Sequence, residues 1–163
     1  MNRTSRALGG AFVVAALSTA ALFTAAVPAA VAGVCPAGQT GVDVMPASTA
    51  PAMGVTDDVI SSIDVASQPA AIQGRQFRLR RLVIRPGGVV PYHSHGDRPA
   101  IIYVVQGEVT EYASTCREPI VHRAGESTPE LSGTSHWWKN TGTTPAVLLS
   151  ADLLRVAGPD ASM

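Results

Sequence analysis

Three of the four histidines in the chain are spaced so that their side chains can meet. His93 and His95 lie two residues apart at the end of a strand-like run, and His136 follows in a later run. Residues i and i+2 of a strand point to the same face of a sheet, so His93 and His95 face together while Ser94 faces away. Three converging imidazoles bind a divalent transition metal without a further cofactor. The spacing therefore predicts a metal centre made of His93, His95 and His136.

The runs that must position these histidines are short and rich in β-branched residues. Pro91 confines the run that carries the first two histidines to an edge or a bulge. Residues 59–66 fit either a first strand or a turn of helix. Many short strands, separated by glycine and proline turns and almost without helical periodicity, predict an all-β sandwich or barrel. The later strands are expected at residues 76–84, 89–95, 100–105, 108–112, 120–123, 136–140 and 146–154.

The first 32 residues have the pattern of a secretory signal peptide. Arg3 and Arg6 precede an uncharged, alanine-rich run, and Ala30-Val31-Ala32 places small residues where a signal peptidase reads them. We therefore expect Sec-dependent export, cleavage before Gly33, and a secreted or periplasmic protein with no stable membrane insertion. The alternative is an uncleaved membrane anchor, since the run is long enough to span a bilayer.

The rest of the chain is expected to form one domain. Residues 33–58 lack periodicity and predict a loosely held N-terminal arm, and residues 59–157 are assigned to the barrel. Two of the twelve basic residues lie in the signal peptide, so ten remain against twelve acidic residues. This near balance argues against a nucleic-acid partner.

Cys35 and Cys116 are the only cysteines in the chain. In an exported protein an even number of cysteines predicts a disulfide, which would join the arm to a loop. Two free thiols, or metal ligation by one of them, are the alternatives. Neither cysteine is near the histidines in sequence, which favours the disulfide.

Two stretches of the sequence resemble the paired motifs of the cupin superfamily, the small double-stranded β-helix (jelly-roll) barrels. The first motif has a glycine, His-x-His, a glutamate and a second glycine at fixed spacing, and the second has two glycines, a histidine and an asparagine. The resemblance covers about residues 76–154, and it implies an all-β barrel with a small-molecule ligand or substrate and a homodimeric assembly. The matching residues are Gly87, His93, His95 and Gly107, followed by Gly125, Gly133, His136 and Asn140.

The sequence departs from the cupin pattern at two positions. Leu131 replaces a proline of the second motif, and Ala100 replaces the glutamate ligand of the first. The resemblance therefore carries over three histidine ligands and no carboxylate. Such a site favours Zn, Fe(II), Ni or Cu over Mn and leaves coordination positions open, as in some cupin dioxygenases.

Two acids are candidates for the missing carboxylate or for proton transfer. Asp97 has the strand parity of His93 and His95, and Glu130 precedes the turn that leads to His136. Acids at such positions are more often solvated loop carboxylates.

Three further side chains are candidates for lining a substrate pocket. Trp138 shares the face of His136 by alternation, although a core tryptophan is the other interpretation. Arg98 lies in the loop just after the histidine pair. Arg81 shares parity with Phe77, Leu79 and Val83 and is expected to reach inward, whereas a solvated strand face is the other interpretation.

Two functions fit these residues. The first is a metal-dependent oxygenase or isomerase that acts on a small molecule, with Glu130 or Asp97 moving protons. The second is a non-catalytic barrel that binds a metal or a small ligand. A barrel with an empty site is a third interpretation, and fold alone does not choose between them.

Overall fold

The computed structural model describes residues 33–156. The predicted signal peptide, residues 1–32, and residue 157 of the predicted domain lie outside them. The described chain contains eight strands and one turn of 3-10 helix at Val65–Ser67. The strands are β1 (Met53–Asp64), β2 (Arg75–Ser94), β3 (Ala100–Gln106), β4 (Glu108–Ala113), β5 (Ile120–Arg123), β6 (Ser127–Glu130), β7 (Ser135–Lys139) and β8 (Ala146–Arg155).

The strands form one antiparallel sheet in the order β5-β4-β7-β2-β8-β3-β6, and β1 pairs with β2 outside this path. The sheet curls into a nearly closed barrel. Backbone hydrogen bonds from Gly125 N to Val104 O and from Val104 N to Glu126 O, both 2.9 Å long, join β3 to the turn between β5 and β6. The prediction of an all-β cupin-type barrel is therefore confirmed. Among the described residues, no helix has the length and apolar character needed to cross a membrane.

Strand β2 bends where the sequence predicts a turn. Its first half pairs with β8 as far as Ile84, and its second half pairs with β7 from Val89 onward. Between the halves, Gly87 has a φ of 76°, a conformation that glycine adopts without the penalty of a Cβ. The predicted turn thus redirects one long strand to a second partner instead of ending it.

The inward-facing side chains of the paired strands β2 and β8 change from apolar to polar along the barrel. Leu82 lies opposite Leu148, and both are buried in the main core. Two residues further along each strand, Arg80 lies opposite Ser150, and then Arg78 lies opposite Asp152. One end of the barrel is therefore a packed hydrophobic core, and the other presents charged groups near the histidines.

The N-terminal arm is shorter and more firmly held than the sequence suggests. Strand β1 begins at Met53, inside the segment expected to be a loose arm. The predicted disulfide between Cys35 and Cys116 is present, with a Cα–Cα distance of 5.7 Å. Backbone hydrogen bonds from Val44 N to Ser114 O, 2.8 Å, and from Gly33 N to Val121 O, 2.9 Å, add to it.

Candidate metal centre

The three predicted histidines lie together at the polar end of the barrel. His136 on β7 is directly opposite His93 on β2, and His95 follows the end of β2. The Nε2 atom of His93 is 3.1 Å from Nε2 of His95 and 3.2 Å from Nε2 of His136. Nitrogens bound to one tetrahedral ion at usual bond lengths are about 3.3 Å apart. The spacing of the three rings therefore suits a single ion.

The outer nitrogen of each ring is held by a hydrogen-bond acceptor. Nδ1 of His93 is 2.9 Å from the Pro91 carbonyl oxygen, and Nδ1 of His95 is 3.0 Å from that of Arg98. Nδ1 of His136 is 2.6 Å from a carboxylate oxygen of Glu111. Because these oxygens accept hydrogen bonds, each Nδ1 carries a proton and each Nε2 is directed at the other rings.

Burial keeps two of these rings neutral. It lowers the pKa of His93 to about 4 and the pKa of His95 to about 4, against an ordinary value of 6.5. At neutral pH the two Nε2 atoms therefore present lone pairs to each other across 3.1 Å. Lone pairs at that distance repel each other. A cation coordinated by both nitrogens removes this repulsion, because each lone pair then binds the cation. The donor set therefore fits a transition-metal ion.

Glu111 on β4 is a functional residue that the sequence reasoning missed. It is buried, and its second oxygen accepts a 2.8 Å hydrogen bond from Nε2 of His122. Burial alone would raise its pKa, but the hydrogen bonds from His122 and His136 outweigh burial and lower the pKa to about 2. Glu111 is thus a charged acceptor that fixes the orientation of His136. Its shared parity with Val109 and Ala113 was the available signal that it points inward.

A cavity of about 240 Å³ adjoins the histidines. Its walls combine apolar side chains with a few polar and charged groups. Trp138 and Arg98, two of the residues predicted to line a substrate pocket, are among the side chains that line this cavity. The apolar part consists of Leu82, Val90, Pro91, Ile102, Trp138 and Leu148, and the polar part consists of Asp57, Arg80, Arg98, Ser150 and the three histidines.

A family model described as a cupin domain matches residues 80–152. This match confirms the resemblance to the cupin superfamily over that part of the chain. The auxin-binding protein ABP19b of Prunus persica is 32% identical over 85 residues, which cover 50% of this chain and 41% of that protein. Germin-like protein 1 of Brassica napus is 28% identical over 102 residues, which cover 59% of this chain and 49% of that protein.

A solved structure of recombinant oxalate oxidase in complex with glycolate is 26% identical, with a TM-score of 0.47, over 64% of this chain and 52% of that one. The chain spans about half the length of the curated relatives it matches.

The position of the absent cupin glutamate is flanked by two buried carboxyl groups. Ala100 on β3 lies opposite Glu130 on β6 and opposite Asp152 on β8. One oxygen of Glu130 is 3.4 Å from Nδ1 of His136, and its other oxygen is buried without a hydrogen-bond partner. Burial, together with the charge of Glu111, raises the pKa of Glu130 to about 9. Glu130 therefore lies on the outer side of His136, away from the Nε2 atoms and the cavity lining.

The expectation for Asp97 is corrected by the structure. Its side chain is 55% exposed and pairs at 2.6 Å with Arg155. Strand β2 ends at Ser94, so the alternation that places His93 does not extend to Asp97, which lies in a turn. Among the residues described, two groups of side chains lie close enough to hold a metal, and Asp97 belongs to neither. They are His93, His95 and His136, and Glu111, Glu130 and His136.

The expectation for Arg81 is also corrected. Arg81 is exposed, and its neighbour Arg80 lines the cavity instead. The parity that Arg81 shares with Phe77, Leu79 and Val83 is that of the outer face of β2, because Phe77 is exposed and Leu82 and Ile84 on the other face are buried. The β2–β7 register shifts between Val90 and His93, which marks a bulge near Pro91. A bulge adds one residue and exchanges the two faces of a strand, so His93 points inward beyond it.

Glu111→Gln is expected to weaken zinc binding about 10- to 100-fold, the range typical for loss of a partner that orients a ligand. Glutamine removes the charge and cannot accept hydrogen bonds from two histidines at once through equivalent oxygens. Competition with a chromophoric chelator measures the affinity. Glu108→Gln on the same strand, with a side chain 44% exposed, is the matched control. Equal zinc affinity in the two variants would show that Glu111 does not support His136.

Proposed function

We propose that this cupin holds one divalent transition-metal ion through Nε2 of His93, His95 and His136 and presents it to a small molecule in the adjoining cavity. The observation that carries the proposal is the arrangement of the rings. Each Nδ1 is tied to an acceptor at 2.6–3.0 Å, which leaves the three Nε2 atoms directed at one another.

The three nitrogen ligands fit Zn, Fe(II), Ni or Cu. When bound, the ion supplies a Lewis acid with open coordination positions. Glu111 keeps His136 oriented, and the carbonyl oxygens of Pro91 and Arg98 do the same for His93 and His95. Apolar side chains form part of the cavity wall beside them.

The cavity lining favours an oxygenase or plain ligand binding over an isomerase. An isomerase needs a group that moves a proton at the substrate. Within the described part of the chain, Asp57 is the only carboxylate of the lining, and it is paired with Arg80. A small-molecule oxygenase and a non-catalytic metal- or ligand-binding barrel are therefore the two forms of the proposal.

We also propose that the protein acts outside the cytoplasm. The disulfide between Cys35 and Cys116 supports this location, because such bonds persist in oxidising compartments. The signal-peptide pattern of residues 1–32 supports it independently.

Metal analysis of the protein purified from its native compartment tests the proposal. We expect about one ion per chain in the wild type and in Asp97→Asn, and almost none in His136→Ala, which loses one of three ligands. Iron or nickel together with O2 consumption on adding a small diol or thiol would favour the oxygenase, whereas zinc without O2 consumption would favour binding. Wild-type protein without metal, or His136→Ala with a full complement, would contradict the proposal.

A further inference from the structure

We propose that the cavity binds a small organic carboxylate, with its carboxylate group on Arg80 and Arg98 and its hydrocarbon part against the apolar wall. This inference rests on the proposed function and names the class of ligand for that site. It follows from an excess of positive charge beside the histidines, which the metal centre does not explain.

Three guanidinium groups lie against one buried carboxylate, that of Asp152. The side chain of Asp152 is fully buried, and Arg78 binds it with two hydrogen bonds of 2.9 and 2.7 Å. Arg98 donates a further hydrogen bond of 2.9 Å to the same carboxylate. Nε of Arg80 is 3.4 Å from it but forms no hydrogen bond. Asp152 therefore balances only one of three positive charges.

Arg80 finds one other charged partner. Its guanidinium pairs with Asp57 of β1 and donates a 3.2 Å hydrogen bond to the Ser150 hydroxyl. Three guanidinium groups thus face two carboxylates at the cavity, and one positive charge is left over there. The charged Glu111 lies outside the cavity lining, against His122 and His136. An imidazole ring brings no negative charge, and a divalent metal adds positive charge. A charge in a half-buried site is unfavourable without a counter-ion, so the cavity has an electrostatic preference for an anion.

The surplus charge lies within reach of the metal centre. Arg98 accepts the hydrogen bond of His95 through its carbonyl oxygen while its side chain lines the cavity. The side chain of Arg80 lines the same cavity, together with the three histidines. A ligand bound to these arginines therefore lies beside the open positions of a metal held by the histidines.

The shape and walls of the cavity select an organic acid. Guanidinium groups match the planar geometry of a carboxylate with two parallel hydrogen bonds. The remaining wall includes Leu82, Val90 and Ile102, which suit a short hydrocarbon chain. The volume of about 240 Å³ is below the roughly 300–1,000 Å³ of sites for drug-sized ligands. These features favour an aliphatic acid of a few carbons over an inorganic oxyanion.

Calorimetry with the zinc-loaded protein tests the inference, with isovalerate as the probe and isovaleramide, its uncharged analogue, as the comparison. We expect the acid to bind at least about tenfold more tightly than the amide, the difference expected for one charge-assisted hydrogen bond. Equal affinities, or binding of neither compound, would overturn the inference. Displacement of isovalerate by equimolar inorganic phosphate would also overturn it and identify a general anion site.

Two variants test whether the carboxylate group of the ligand binds Arg80. Arg80→Gln is expected to lower the affinity for isovalerate about tenfold or more while binding of the amide is unchanged. Arg81→Gln removes the same charge from the exposed face of the same strand and is expected to bind like the wild type. An equal loss in both variants, or in neither, would contradict the assignment to Arg80.

Zinc content, measured on the same samples, separates the two proposals. Zinc bound without a preference for the acid would overturn this inference and leave the metal centre standing. A preference for the acid without bound zinc would overturn the metal centre alone. If Arg80→Gln does not fold, the comparison of acid and amide in the wild type still shows whether the cavity prefers a carboxylate.

Discussion

Zinc added to the metal-free protein is expected to raise the midpoint of thermal unfolding by about 10–20 °C. An ion that binds only the folded state, present at a thousand times its dissociation constant, adds about 4 kcal/mol to the free energy of unfolding. In a domain of this size each kcal/mol shifts the midpoint by about 3–5 °C. The gain is large because the folded chain has already brought His93, His95 and His136 together, with their Nε2 atoms 3.1–3.2 Å apart.

His136→Ala is expected to abolish this rise. The substitution also removes a hydrogen bond to Glu111, so the metal-free variant is expected to unfold at a lower temperature than the metal-free wild type. The rise is therefore measured for each protein as the difference between its midpoints with and without zinc. His122→Gln is the matched control. It removes the fourth histidine, keeps all three ligands and places an amide donor near the position of Nε2 for Glu111, so the rise is expected to remain. A rise of equal size in His136→Ala would mean that zinc binds elsewhere.

Most strands were predictable because the alternation of polar and apolar residues and the positions of the turn residues indicate the same strand boundaries. Two were not fully predictable. Strand β6 contains Pro129 and only polar neighbours, and it forms because it is an edge strand where the missing N–H of proline is tolerated. Most of β1 is exposed, and only its pairing with β2 makes it a strand. Such strands depend on tertiary pairing, which local propensity does not encode.

The histidine trio was predictable because two kinds of pattern agree on it. The i, i+2 spacing places His93 and His95 on one face, and the spacing of the second motif marks His136. The surroundings of the trio depend on register, which one sequence does not reveal. Before the bulge near Pro91, the face that Arg81 shares with Phe77 is the outer one, so the inward arginine is Arg80 and not Arg81. Pro91 signalled that a bulge was possible, but not its effect on the residues before it.

The carboxylates of the site illustrate the same limit. Glu111 lies 25 residues before His136 in sequence and 2.6 Å from its ring in the fold. Glu130 was a candidate because it precedes the turn to His136, yet its place beside Nδ1 follows from pairing with Ala100 across β3 and β6. Long-range pairing therefore decides which acid orients a ligand, and which lies at the surface as Asp97 does.

Asp152→Asn is expected to lower the free energy of unfolding by about 3–5 kcal/mol, the usual cost of removing one partner from a buried ion pair. The substitution keeps the shape of the side chain but leaves Arg78, Arg80 and Arg98 without their shared negative charge. Urea unfolding at pH 7 measures the change. Asp97→Asn, which alters an exposed carboxylate paired with Arg155, is expected to stay close to the wild type and is the matched control.

The effect of Asp152→Asn is expected to fade in acid. Burial would raise the pKa of Asp152, but the hydrogen bonds and charges of its arginine partners outweigh burial and hold the pKa below its ordinary value of 3.8. A carboxylate with a lowered pKa stabilises the fold above its unfolded-state pKa, and this contribution is lost as pH falls through the folded-state value. The wild type and the variant should therefore differ most above about pH 5, and the difference should shrink as pH falls below the unfolded-state value of about 3.9. A difference that persists unchanged to pH 3 would show that Asp152 acts through its shape and not through its charge.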